Sequence, residues 1–251
     1  GQWGAFFDAV QDYCRELAHE IEQQEEGRSR LIWYATLALL RCVASSPAAA
    51  VRALSNRLDT LENDSDLLHD DRLHDGEMDD LTASDIEPPA QLDNQPLQNL
   101  IETANKLSGP KGDPKLAALI RHLQDQLNDG YQPVVFCRYV ATAHYVAEHL
   151  QKAFPDTRIE AVTGEQTPEE RRLRVESMDE HERRILVATD CLSEGINLQH
   201  LFTAVLHYDL AWNPTRHEQR EGRVDRFGQQ ASEVRCTMLY GQDNPVDGFI
   251  L

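Results

Sequence analysis

Gln219, Arg220, Arg223 and Arg226 fall within one short stretch, Gln219-Arg220-Glu221-Gly222-Arg223-Val224-Asp225-Arg226-Phe227-Gly228-Gln229. No hydrophobic periodicity calls for arginine at that density. A guanidinium is planar, permanently charged and carries its donors in a fork that matches phosphate oxygens, so the chemistry these residues suit is holding phosphate. Asn213-Pro214 just upstream supplies an N-cap residue and a proline for the first helical position, which predicts a helix from about Pro214 to about Asp225. On that helix Gln219, Arg223 and Arg226 share a face, being four and three residues apart. Gly222 would let backbone or ligand come close beside Arg223. The plain alternative is a salt-bridged, solvated surface helix, because Glu218, Glu221 and Asp225 alternate with the arginines.

The elements that must position this helix follow from the pattern upstream. Asp113-Pro114 opens a helix through about Asn128, and Gly130 stops it. Apolar strands are predicted at Val134 to Cys137, Arg158 to Val162, Ile185 to Ala188, Ala204 to Tyr208 and Val234 to Leu239. Between them lie a helix with Ala143, Val146, Ala147 and Leu150 on one face, and another that starts at the capping box Thr167-Pro168-Glu169-Glu170. Strands alternating with helices predict an α/β fold, a parallel sheet flanked by helices. The N-terminal part is helical instead: Phe6, Val10, Tyr13, Leu17 and Ile21 recur at helical steps, and Ser46-Pro47 starts a second helix, Ala48 to Leu58. The expected organisation is a helical subdomain at 1–58, an acidic flexible linker at 59–95, and an α/β lobe at 96–251.

Charge and cysteine usage narrow the function. The net charge of −19 argues against a polyanion ligand. Its distribution does not: residues 59–95 hold 13 Asp or Glu against one basic residue, Arg72, and so supply −12 of that total. In the α/β half, Arg171, Arg172, Arg174, Arg183, Arg184, Arg216, Arg220, Arg223 and Arg226 leave room for a local basic groove. The acidic stretch reads as a linker, with an autoinhibitory or partner-binding strip as the alternative. Five scattered cysteines without a C-x-x-C pair read as reduced thiols of a cytosolic protein. His69 and His74 lack metal-ligand spacing, so no metal site is expected. The longest apolar run, Leu31 to Leu40, is too short for a bilayer, and no membrane partner is expected.

In the form Q-R-x-G-R-x-D-R-x-G-Q, the arginine stretch resembles the last motif of the superfamily 2 helicases, in the branch of the Snf2-type DNA translocases and their bacterial relatives. Further segments match that family in order. Val134 to Tyr139 resembles motif IV, Val162-Thr163-Gly164 with Arg171 the following TG element, and Ile185 to Asp190 with Ser193 to Gln199 motif V. Asp209 to Pro214 is similar to the element joining V to VI, and Asn244 to Ile250 echoes the closing motif weakly. The resemblance covers roughly residues 113 to 251 and implies a RecA-like second helicase lobe.

It implies roles as well. Arg223 and Arg226 would be the catalytic arginine fingers, and Gln219, Arg220, Glu194 and Gly195 would line or place the nucleotide. Arg138, Thr163, Gly164, Arg171, Thr189 and Asn197 would face nucleic acid at the carboxyl ends of the strands. ATP and Mg2+ are the implied cofactors; double-stranded DNA and an N-terminal RecA-like lobe are the implied partners. A triphosphatase of this type needs a glycine-rich loop with lysine and an acidic pair after a strand. Gly109-Pro110-Lys111-Gly112 and Asp179-Glu180-His181-Glu182 have neither the flanking residues nor the strands for those tasks. The first lobe is therefore expected to precede this chain in a longer polypeptide, leaving the 251 residues inactive alone. A strand-separating DNA or RNA helicase, and a regulatory module acting through the helices and acidic strip, stay open as alternatives.

Overall fold

The computed structural model describes residues 1–22, 29–63, 95–192, 196–211 and 213–241. One compact unit ends at Asp113 and a second begins at Pro114. The first is helical: α1 (Gln2–Glu22), α2 (Ser29–Ser45), α3 (Pro47–Asn63) and α4 (Gln95–Lys106). The Ser46 hydroxyl accepts the Ala49 backbone N–H at 3.1 Å, so the expected cap is in place, and Phe6, Val10 and Tyr13 are buried as their spacing predicts. Two boundaries differ from the sequence reading. Helix α3 runs on to Asn63, into the stretch expected to be linker, and α4 packs against α1 and α3 and so joins the helical unit instead of the lobe. The rest of the acidic segment, 64–94, lies outside the described residues. A Cβ on Gly112 would sit 2.4 Å from the Leu107 carbonyl oxygen, so this glycine serves a close backbone approach and not a phosphate loop.

The second unit is the predicted parallel sheet. Its strands are β1 (Pro133–Phe136), β2 (Arg158–Val162), β3 (Arg184–Ala188), β4 (Ala204–His207) and β5 (Arg235–Met238), in the order β2-β3-β1-β4-β5, every pairing parallel. The three central strands are buried along nearly their whole length, whereas β2 and β5 at the edges include exposed and half-buried positions. That explains their composition: strands covered by helices on both faces read as continuous apolar runs. Helices α5 (Pro114–Asn128), α6 (Val140–Ala153), α7 (Pro168–Glu176) and α8 (Pro214–Glu221) complete the unit. Thr167 and Glu170 form the predicted capping box, and the Asn213 side chain accepts the Thr215 N–H at 3.0 Å to open α8. Because all five strands run one way, the segments that leave their carboxyl ends gather along a single edge of the sheet.

Candidate nucleotide and nucleic-acid site

Helix α8 is shorter than its sequence predicts. It ends at Glu221, and Gly222 to Gly228 continue as tight turns, so Arg223 and Arg226 do not extend a helical face with Gln219. The physical reason is Val224. It is fully buried in the cluster that covers one face of the sheet, beside Phe202, Leu201 and Leu198. Burying one such side chain stabilises by about 1.5–3 kcal/mol, enough to draw the chain off the helix axis. Gln229 then pins the segment from the other side: its Nε2 donates to the carbonyl oxygens of Phe202 at 3.1 Å and Val224 at 3.0 Å. Gly228 turns at φ 97°, where a side chain would be strained. The result is a fixed turn that leaves Arg226 exposed and Arg223 half-buried, with Gln219 exposed on α8.

Arg220 faces the opposite way. It is only 2% exposed, its Nε and Nη2 donate to the two Asp190 carboxylate oxygens at 2.6 and 2.8 Å, and its Nη1 donates to the Asp209 carbonyl oxygen at 2.9 Å. Arg216 approaches the same carboxylate at 3.5 Å. Burial pushes the Asp190 carboxyl upward, but the Arg220 hydrogen bonds and the charges of Arg220, Arg216 and Arg138 outweigh it and hold it below its ordinary value. Asp209 is a second junction: its carboxylate accepts from Lys115 Nζ at 2.8 Å and from the Arg138 backbone N–H at 2.9 Å. This buried network joins the exits of β1, β3 and β4 to the start of α5 and the last turn of α8. Sequence reading placed Arg220 beside nucleotide and assigned Asp190, Asp209 and Lys115 no role. The available signal was complementarity, since a buried arginine in α8 requires an acid at the end of a strand.

Two histidines complete the support under α8. The Ala211 N–H donates to His217 Nε2 at 2.9 Å, and His207, fully buried at the end of β4, lies 3.0 Å from Glu221 Oε1 through its Nε2. Burial, then the Arg220 charge, then His217, lower His207 to a pKa of about 3, so the contact to Glu221 is a hydrogen bond from a neutral ring. Below pH 6.5 the unfolded chain binds a proton that folded His207 does not. Folding stability therefore falls as pH drops from about 6.5 toward 3, by up to about 1.4 kcal/mol per pH unit. Urea unfolding across this range should show that slope, and His207→Gln should reduce it; an identical slope in the variant would contradict the assignment.

Arg138, Thr163, Gly164 and Thr189 follow β1, β2 and β3 at the carboxyl edge, whereas Arg171 lies on α7 and Asn197 precedes a short 3-10 turn without making a capping bond there. Their side chains divide sharply. Thr163 and Thr189 are fully buried, so their hydroxyls do not face solvent. Arg171 donates to three carbonyl oxygens, Cys191 at 2.7 Å, Thr163 at 3.1 Å and Gly164 at 3.3 Å, and so clamps two edge loops together. Gly164 and Arg138 are half-buried and Asn197 is exposed. Glu194, Gly195, Trp212 and the closing segment 244–250 lie outside the described residues. Several of the arginines that left room for a local basic groove are engaged within the domain: Arg172 pairs with Glu169 and Glu176, Arg174 with Glu160, and Arg184 bonds the carbonyls of Leu201 and Met178. Cys137 is buried, which raises its thiol well above the ordinary value, and all five cysteines are free. Among the described residues, no helix is long and apolar enough to cross a membrane.

Comparison with known proteins agrees with this geometry. The family model of the helicase conserved C-terminal domain matches residues 114–228. An uncharacterized ATP-dependent helicase of Bacillus subtilis, YqhH, is 51% identical over 47 residues, which are 19% of this chain and 8% of that protein. RNA helicases are also among the matching relatives. The chain thus spans less than a third of these curated relatives. Among solved structures, the C-terminal part of the Fun30 ATPase domain matches at TM-score 0.60 and 14% identity, over 100% of this chain and 86% of that one. The C-terminal domain of the Sulfolobus solfataricus SWI2/SNF2 ATPase matches at TM-score 0.53 and 14% identity, over 94% and 72%. The parallel five-stranded sheet is that of a RecA-like helicase lobe, and the family whose model matches residues 114–228, a little under half of the chain, is the helicase conserved C-terminal domain.

Proposed function

We propose that this chain is the C-terminal motor lobe of an ATP-dependent, Snf2-like translocase on double-stranded DNA, and that Arg223 and Arg226 complete an ATP site whose other wall lies on an N-terminal RecA-like lobe. The observation that carries this reading is the division of labour within one motif. Arg220 is buried on Asp190 as a brace, while the turn held by Val224 and Gln229 leaves Arg226 in solvent beside Arg223. An exposed guanidinium on a rigid support suits phosphate whose charge develops during transfer, because it needs no rearrangement to meet it. ATP and Mg2+ would be held chiefly by the other lobe; among the described residues no cluster of three or more His, Cys, Asp or Glu is placed for a metal. Gln219 would stand at the nucleotide edge, with Glu194 and Gly195 coupling it to nucleic acid. Gly164, Arg138 and Asn197 would track phosphates, and Thr163, Thr189 and Arg171 would shape the loops that do so.

The 251-residue chain alone should therefore hydrolyse no ATP, whereas the two-lobed polypeptide should do so in a DNA-stimulated manner. Displacing the third strand of a DNA triplex without melting a plain duplex is the result expected of a translocase. The matching RNA helicases favour a second reading, strand separation. Release of a labelled strand from an RNA or DNA duplex would select it over the first. ATP hydrolysis by the isolated chain would overturn both.

A further inference from the structure

Phe227 is 102% exposed, well beyond Tyr240 at 54% and Leu173 at 52%. A single exposed apolar side chain is usually unremarked surface. This one differs in its support. It lies in the turn fixed by buried Val224, by the Gln229 side-chain bonds and by the Gln229 N–H donating to the Arg226 carbonyl oxygen at 3.0 Å. The next residue, Gly228, holds the positive φ that closes the turn. The ring is thus held out in water by a rigid mount, and its neighbour in the chain is Arg226.

We infer that Phe227 is the apolar anchor by which this domain grips the ATP-bearing lobe of the same polypeptide as the arginines engage nucleotide. The inference rests on the function proposed above. Consecutive Cα atoms lie about 3.8 Å apart, so Phe227 stands next to the arginine that a lobe carrying the γ-phosphate has to approach. Aromatic side chains contribute disproportionately to such contacts because they bury much area with few rotatable bonds. Such a contact calls for an apolar recess beside the nucleotide phosphates on the other lobe. Arg226 then supplies charge complementarity and Phe227 the desolvated contact, so closure of the lobes and delivery of the finger become one event.

In the two-lobed protein, Phe227→Ser should lower kcat/KM for ATP by about tenfold. It should also raise, by a similar factor, the concentration of a nonhydrolysable ATP analogue needed to bring fluorophores on the two lobes together. Phe227→Leu should restore most of both. The thermal midpoint of the 251-residue chain should not change, since the ring is fully exposed. Wild-type kcat/KM and closure in Phe227→Ser would overturn the inference. So would weaker binding of the 251-residue chain to duplex DNA or single-stranded RNA, which would make the ring a base-stacking platform. Arg226→Ala measured in parallel separates the two levels. If that variant is inactive and Phe227→Ser is normal, only the anchor fails; if Arg226→Ala is fully active, the ATP-site reading fails and the anchor with it.

Discussion

Arg226→Ala in the two-lobed protein should reduce ATP turnover by about a thousandfold or more, the scale on which arginine fingers act in phosphoryl transfer. The loss should fall on kcat, because the side chain's charge matters most as negative charge develops on the transferring phosphoryl group. Folding should be indifferent: Arg226 is exposed, and substitutions at such positions usually change stability by no more than about 0.5 kcal/mol. Arg226→Lys should recover only a small part of the rate, since an ammonium keeps the charge and loses the fork. Arg223→Ala should fall in the same direction, with a less clean stability control because this residue is half-buried. Steady-state turnover at saturating DNA, with unfolding midpoints measured on the same preparations, checks all three. Undiminished turnover in Arg226→Ala would remove the role.

Arg220→Ala should be equally damaging for another reason, destabilising the domain by about 3–5 kcal/mol. Removing the guanidinium leaves Asp190 without its two short hydrogen bonds and the Asp209 carbonyl without its donor. Losing one partner of a buried pair costs more than the pair contributes in total, because the remaining charge stays desolvated. Asp190→Asn should destabilise as well, and pairing it with Arg220→Met should recover part of the loss. The pH dependence follows from the same pair. Asp190 is held below its ordinary pKa in the fold, so its contribution is fully present above the ordinary carboxylate range and is lost as pH falls through the folded value. Urea midpoints at constant m-value measure these effects. A wild-type midpoint for Arg220→Ala would show that the brace does not hold α8. Taken together, the two arginines separate cleanly: one variant folds and does not turn over, the other fails because it does not hold its shape.

What the sequence shows and what it withholds divide along the range of the interactions. The strands were legible because both faces of β1, β3 and β4 are covered, leaving apolar runs at 133–136, 185–188 and 204–206. Helix starts were legible because caps are local: Thr167 with Glu170, Asn213 with Pro214, Ser46 with Pro47. The end of α8 was not, since helical spacing continues through Asp225 and only the tertiary position of Val224 draws the chain away. Nor could spacing reveal which arginine is buried. That depends on Asp190, thirty positions earlier, and the Lys115–Asp209 pair spans ninety-four. The clamp made by Arg171 and the burial of Thr163 and Thr189 were hidden in the same way, because they arise from loops brought together by the sheet. The grouping of α4 depended on its packing against α1 and α3, which its sequence does not encode.

If arginines on this domain complete an ATP site formed with another lobe, they must meet the transferring phosphoryl group. The most direct test is a structure of the two-lobed protein bound to nucleic acid and to ADP with aluminium fluoride, an analogue of the transferring phosphoryl group. The guanidinium groups of Arg223 and Arg226 should lie within about 3 Å of the fluoride ligands, with Arg220 still bonded to Asp190. Closed lobes with both arginines left in solvent, or with Arg220 drawn to the nucleotide in their place, would contradict it.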